Sequence, residues 1–218
     1  MKNKFNKFID DLANTKVPPN VFNQYSYEFK ENSIRRENLL IYLKQMHKLN
    51  PKIMFIAEAP GYKGSRITGV PFTSENLLMN NKDGLNLFGR ENGYKLLVEK
   101  KELSKQATTT IIWNTMLEYE LLPLAWNAFP FHPYKKGNKR SNRTPLKKEL
   151  LIGERFLIQM IEMFNIKRIV AVGNKAKASL DKLDIESKKV RHPAQGGKSE
   201  FVEGISRVIK ELDETSRF

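Results

Sequence analysis

Three polar side chains stand where apolar runs of this chain end. Glu58 follows Ile53-Met54-Phe55-Ile56 inside the turn Ala57-Glu58-Ala59-Pro60-Gly61, Asn127 follows Leu124-Ala125-Trp126, and His192 follows Val190-Arg191 and precedes Pro193. A carboxylate at a strand end can act as a general base, position a water or accept backbone N–H groups. It can equally cap the turn or pair with Lys63 or Arg66. An amide offers donor and acceptor together, which suits reading a base edge or holding a water, or it simply closes the strand. A loop imidazole can donate to a developing anion or be an ordinary surface residue. Pro60-Gly61 turns the chain and lets a ligand approach the backbone.

Cations crowd the same segments. Lys135, Lys136, Lys139, Arg140, Arg143, Lys147 and Lys148 follow Asn127 in a loop that also holds Gly137, Ser141, Asn142 and Pro145. Lys188, Lys189, Arg191 and Lys198 flank Gln195-Gly196-Gly197. Charge runs are usually solvated, but these begin beside the three polar residues, and a track for phosphates is the sharper reading. The whole chain is basic, with 38 Lys and Arg against 24 Asp and Glu and a formal charge of +14. That surplus favours a polyanionic partner, nucleic acid before a membrane surface.

The elements that must position these residues follow from periodicity. Leu39, Leu40, Leu43 and Met46 keep helical spacing up to Pro51. Helices also fit 107–118, 148–164 and the segment carrying Phe201, Val202, Ile205, Val208, Ile209 and Leu212. Strands fit 53–57, 121–127 and 168–172, and Gly173 opens another helix. His47 falls on a helix and reads as structural, and Trp113 and Trp126 read as core. Such alternation indicates an α/β sandwich around a mostly parallel sheet, with ligands beyond the carboxyl ends of its strands.

The chain of 218 residues, 40% apolar and 10% aromatic, suits one compact domain. No run approaches the length of a membrane span and no secretory signal is evident, so a protein that does not engage membranes is expected. The absence of cysteine excludes disulfides, thiolate metal sites and cysteine-held iron–sulfur clusters, and fits a cytoplasmic location.

Taken in order, the three loops resemble the uracil-DNA glycosylase superfamily. Its first motif appears here as Ala57-Glu58-Ala59-Pro60-Gly61 followed by Gly69-Val70-Pro71-Phe72, its second as Asn127 with Asn142-Arg143-Thr144-Pro145, and its third as His192-Pro193-Ala194-Gln195-Gly196-Gly197. The resemblance spans about residues 52 to 210. It implies a three-layer α/β/α sandwich with a four-stranded sheet, a single domain over 1–218, and residues 1–50 as a helical extension packed on it. It also implies an enzyme that flips deoxyuridine out of DNA and hydrolyses its glycosidic bond, as a monomer with neither cofactor nor metal.

Roles follow by the same resemblance. Phe72 looks like the ring on which the base stacks, and Ala59 and Gly61 like further walls of its pocket. Asn127 looks like the reader of the pyrimidine edge, with its carbonyl to N3–H and its amide to O4. His192 looks like the donor to the departing uracil anion, and Glu58 like the group that holds or activates the attacking water. Lys63, Arg66, Lys135, Lys136, Arg143, Arg191 and Lys198 would meet DNA phosphates, with the Gln195, Gly196 and Gly197 backbone close to the strand. The best-known branch has Asp where this chain has Ala59, and a Tyr that excludes the thymine methyl group where it has Gly61. The Gln195-Gly196-Gly197 loop carries no bulky apolar wedge, which points to single-stranded or poorly stacked substrate. Alternatives are excision of hypoxanthine, xanthine or mismatched thymine, a catalytically silent DNA-binding member, and a nucleotide site after Gly173. The last lacks a glycine-rich fingerprint in Gly173-Asn174-Lys175-Ala176.

Overall fold

The structure, a computed structural model, describes residues 2–80, 86–99 and 101–215. The first half of the chain holds α1 (Lys2–Ala13), β1 (Val21–Phe22), α2 (Asn32–Leu49), β2 (Ile53–Ala57), α3 (Ser65–Thr68), α4 (Glu75–Met79) and α5 (Ala107–Glu118). The second half holds β3 (Leu124–Asn127), β4 (His132–Pro133), α6 (Lys147–Phe164), β5 (Arg168–Val172), α7 (Asn174–Asp181), β6 (Lys188–Val190) and α8 (Lys198–Thr215).

Four strands form the central sheet in the order β3-β2-β5-β6, and every pairing is parallel. The apolar runs of β2 and β5 make the two inner strands, where both faces are covered and continuous hydrophobicity is required. The molecule is a three-layer α/β/α sandwich. Helices α2 and α6 each end on an asparagine in the left-handed region, Asn50 and Asn165, which lets the chain reverse into the next strand. Strand β3 lies at one edge, and α2 covers part of it: the Tyr42 hydroxyl accepts the Ala125 N–H at 2.7 Å. That contact occupies a backbone group an open edge would offer to another chain.

Two expectations are revised. The strand expected over 121–127 begins only at Leu124. Leu121 N–H still bonds the Met116 carbonyl at 2.8 Å, so the residues before Pro123 finish α5. The second revision is an antiparallel ribbon that periodicity could not reveal, β1 with β4, pairing Val21 with Pro133 and Phe22 with His132. Helix α1 is built into the core: Phe8 packs against Trp126 and Phe156, and Phe5 against Phe164. In α8 the expected apolar face holds from Phe201 to Ile209, while the side chain of Leu212 lies outside the described residues. Among the described residues no helix is long and apolar enough to cross a membrane.

Candidate active site

Parallel strands bring their carboxyl ends to one side of the sheet, and the register places the motifs there. Asn127 pairs with Ala57, and Ala128 and Phe129 donate their N–H groups to the Ala57 and Glu58 carbonyls at 2.9 and 3.1 Å. The ladder therefore runs one step past both strands and sets the Glu58 and Asn127 segments side by side. On the other flank, Gly173 N–H bonds the Val190 carbonyl at 2.9 Å, which brings the His192 loop alongside the end of β5. Gly173 has φ +91°, and a Cβ there would lie 2.8 Å from that of His192, so only glycine admits the imidazole at this point.

These ends enclose a cavity of about 390 Å³ lined by Ala59, Gly61, Phe72, Asn127 and His192, five of the residues singled out from the sequence. Clefts of about 510, 590 and 630 Å³ occur elsewhere, but none of the three motif residues Glu58, Asn127 and His192 lines them. Asn142 of the second motif also reaches the cavity wall. Ser65, Gln106, Thr108, Thr109 and Ile112 join it there, and for these the motifs gave no signal.

Phe72 is held in the left-handed region at φ 56°, a strained setting for a bulky side chain. The Trp113 indole N–H donates to its carbonyl at 2.8 Å, and the Thr73 hydroxyl reaches the Val70 carbonyl at 2.7 Å. Those bonds hold the strained turn that keeps the ring at the cavity. Asn127 is 3% exposed, and among the described residues its amide has no hydrogen-bond partner. His192 accepts the Ala194 N–H on Nδ1 at 3.2 Å, which leaves the ring proton on Nε2. Burial pushes its pKa down, and Arg191 and Lys175 add to the effect, which favours the neutral ring at neutral pH; among the described residues Nε2 has no partner.

Glu58 is placed differently from its neighbours. Ala57 and Ala59 line the cavity, whereas the Glu58 carboxylate turns toward Lys175, with Nζ 4.0 Å from Oε2. Oε1 is buried and accepts no hydrogen bond. Burial raises its pKa above the usual carboxylate range, although the Thr144 hydroxyl, Lys175 and Lys182 pull the other way. A half-buried carboxylate with an unoccupied acceptor is suited to taking a proton from water. Lys175 lies near both Glu58 and His192 and links the two electrostatically.

The expected phosphate contacts divide into two groups. Lys63, Lys135, Lys136, Arg191 and Lys198 are exposed, as are Gln195 and Gly196, both with positive φ. Arg191 lies 3.9 Å from Glu200, and Gly197 is buried beneath the His192 carbonyl. Arg66 is half-buried, packs 5.1 Å from the Phe22 ring centre, and leaves its Nε without a partner. Arg143 faces inward: it binds Glu149 through two bonds of 2.6 and 2.7 Å and also donates to the Tyr134, Thr144 and Asn20 carbonyls. Its role in these contacts is to hold the loop, and the outward placement expected for it is not observed.

Two further residues tie that loop to the first motif. His132, fully buried, bonds the Pro60 carbonyl through Nδ1 at 2.7 Å, and Asn142 Oδ1 accepts the Tyr62 N–H at 3.0 Å. No spacing in the sequence announces either contact, because both join segments some 70 to 80 residues apart.

An aromatic ring, an amide without a partner among the described residues and an imidazole thus stand around one cavity at the strand ends. The family model described as Uracil DNA glycosylase superfamily matches residues 44–210, and the chain belongs to that superfamily. It is thus a DNA glycosylase, a hydrolase acting on DNA. The crystal structure of wild-type Pedobacter heparinus SMUG2 has the same fold, with a TM-score of 0.66 at 18% identity and 98% of each chain covered. No curated protein matches the chain.

Proposed function

We propose that this enzyme removes uracil from DNA as a monofunctional glycosylase. The reading rests on one observation above all: Phe72, Asn127 and His192 converge on a single cavity, where among the described residues the Asn127 amide and His192 Nε2 have no protein partner. A flipped uracil stacks on Phe72, with a contribution of about 1–3 kcal/mol. Asn127 accepts N3–H through its carbonyl and donates its amide to O4. As the bond from C1′ to N1 breaks, its electron pair leaves with the base, and His192 Nε2–H donates to the oxygen on which charge develops. Water attacks C1′ and passes a proton to Glu58, whose carboxylate also offsets the positive charge growing on the sugar. Ala59 supplies no second carboxylate, so this task falls to Glu58 and the DNA phosphates.

Lys63, Arg66, Lys135, Lys136, Arg191 and Lys198 serve the phosphates on either side of the flipped nucleotide, and Arg143 shapes the loop that carries two of them. Gln195-Gly196-Gly197 brings backbone rather than an apolar wedge to the duplex, which favours single-stranded substrate. Gly61 presents no side chain to the base, and this favours a second reading in which hypoxanthine, xanthine or mismatched thymine is the preferred base. The test is a panel of oligonucleotides carrying one modified base each, in single and double strands, incubated with enzyme and then cleaved with alkali. Uracil excision that is fastest in single strands is expected. Absence of excision from every oligonucleotide would show a silent DNA-binding protein instead.

A further inference from the structure

The cavity has a polar wall that no motif marks. Gln106 sits at the N-cap of α5 with φ −130° and ψ 115°, yet its side chain does not cap the helix. It turns instead to the first-motif loop. Its Oε1 accepts the Thr109 hydroxyl at 3.1 Å, and a Cβ at Gly64 would come within 2.6 Å of that oxygen. A glycine at 64 is therefore what lets the carboxamide lie there. With Oε1 held, Nε2 faces Gly61: a Cβ on Gly61 would be 3.7 Å from Nε2. Gln106 and Gly61 both line the cavity, and Nε2 donates to no described residue.

A fixed amide with free N–H groups, set at the place where residue 61 offers no side chain, is a donor waiting for an acceptor. We infer that Gln106 is a specificity-determining residue, whose Nε2–H donates to a carbonyl oxygen of the flipped base and whose bulk closes the wall left open by Gly61. The inference rests on the reading of this cavity as the base pocket. A base presenting an amino group at that edge sets donor against donor and leaves both unpaired, a mismatch that sites built from hydrogen-bonding groups reject strongly. Two amides from different segments, Asn127 on β3 and Gln106 at the N-cap of α5, thus read a base with two carbonyl groups.

Gln106→Glu keeps the shape and replaces the donor by an acceptor, while Gln106→Met keeps the length without polarity. Single-turnover excision is measured for wild type and both variants on uracil, hypoxanthine, xanthine and thymine opposite guanine, with melting temperature and affinity for abasic-site DNA as controls for folding. On the base that wild type removes fastest, each variant is expected to lose roughly 10- to 100-fold in rate. Affinity for abasic DNA, which has no base to read, stays unchanged, and the order of base preference changes. Wild-type rates and wild-type base order in both folded variants would overturn the inference while leaving the proposed function intact. A wild-type enzyme inactive on all four bases would instead remove the proposed function, and this inference with it.

Discussion

The loop from His132 to Pro145 and the cavity beside it are equally rich in polar groups, yet they treat those groups in opposite ways. In the loop, His132 is bonded to the Pro60 carbonyl, Asn142 to the Tyr62 N–H, and Arg143 to Glu149. In the cavity, the Asn127 amide, Gln106 Nε2 and His192 Nε2 have no partner among the described residues, and neither does Glu58 Oε1 beside it. Of these only Glu58 Oε1 is shut off from solvent, where leaving a polar group unpaired costs about 1–3 kcal/mol, while the other three open to the cavity. The paired set holds the framework, and on the proposed function the unpaired set serves the substrate. If this division is right, changes in the two regions should separate cleanly into losses of stability and losses of rate.

The largest effect is expected from the unpaired set. His192→Ala and Asn127→Ala should each lower single-turnover excision by on the order of 10²- to 10³-fold, the usual consequence of removing a preorganised donor from a developing anion or from its recognition edge. Melting temperature should remain near that of wild type, since among the described residues the Asn127 side chain bonds none and that of His192 accepts only the neighbouring Ala194 N–H. A large fall in melting temperature without loss of rate would break the comparison.

Next comes the paired set. Glu149 has a side chain only 1% exposed, and burial would raise its pKa, but Arg143 and the Leu146 N–H outweigh burial and hold it below the usual range. Arg143→Met strands that carboxylate, and a loss of about 2–4 kcal/mol in unfolding free energy is expected. In wild type this pair contributes stability that is present above the unfolded carboxylate pKa and fades as pH falls through the lower folded value. Chemical denaturation at pH 7 and pH 4 should therefore show a larger difference between wild type and variant at pH 7.

A pH profile sharpens the role of Glu58. Its folded pKa is raised chiefly by burial, so its carboxylate takes up a proton at a higher pH than an ordinary glutamate does. If Glu58 is the base, excision by wild type should fall on acidification with a midpoint above that of an ordinary glutamate. In Glu58→Gln the rate should be reduced by about 10²-fold or more, with that acid limb removed. An unchanged acid limb in the variant would assign it to another group.

Much of this arrangement can be read in the residues, and what cannot has a physical reason. Apolar runs and helical spacing mark β2, β5, α2 and α6 because burial imposes those patterns. The three strand-end motifs lead to Phe72, Asn127 and His192, which share one cavity. The pairing of β1 with β4 escapes notice because two-residue strands have no period. Gln106 escapes because its place depends on how α5 meets the Gly61–Gly64 turn, a relation between segments some 40 residues apart. Arg143 misleads because a cation in a basic loop reads as outward-facing until its partner Glu149, six residues on, is seen to turn inward with it. Charge counts cannot distinguish a lysine in solvent from a guanidinium bound to a buried acid.

That last distinction supplies the smallest expected effect and the finest test. Lys135 and Lys136 are exposed on a tight turn closed by Lys135 and Asn138, and the Lys135 N–H is fixed by the Ser141 hydroxyl at 2.9 Å. The turn backbone is thus bonded, while neither ammonium group has a partner among the described residues. Replacing both lysines by alanine should weaken DNA binding only several-fold near 0.1 M salt, with melting temperature unchanged. The slope of log affinity against log salt should fall by about 0.7 for each phosphate no longer neutralised on single strands and about 0.9 on duplex. Arg143→Met compared under conditions where it stays folded should leave the slope alone, because its guanidinium already faces Glu149. Equal slopes for wild type and the double alanine variant would remove these two lysines from the phosphate track and leave that work to Lys63, Arg66, Arg191 and Lys198.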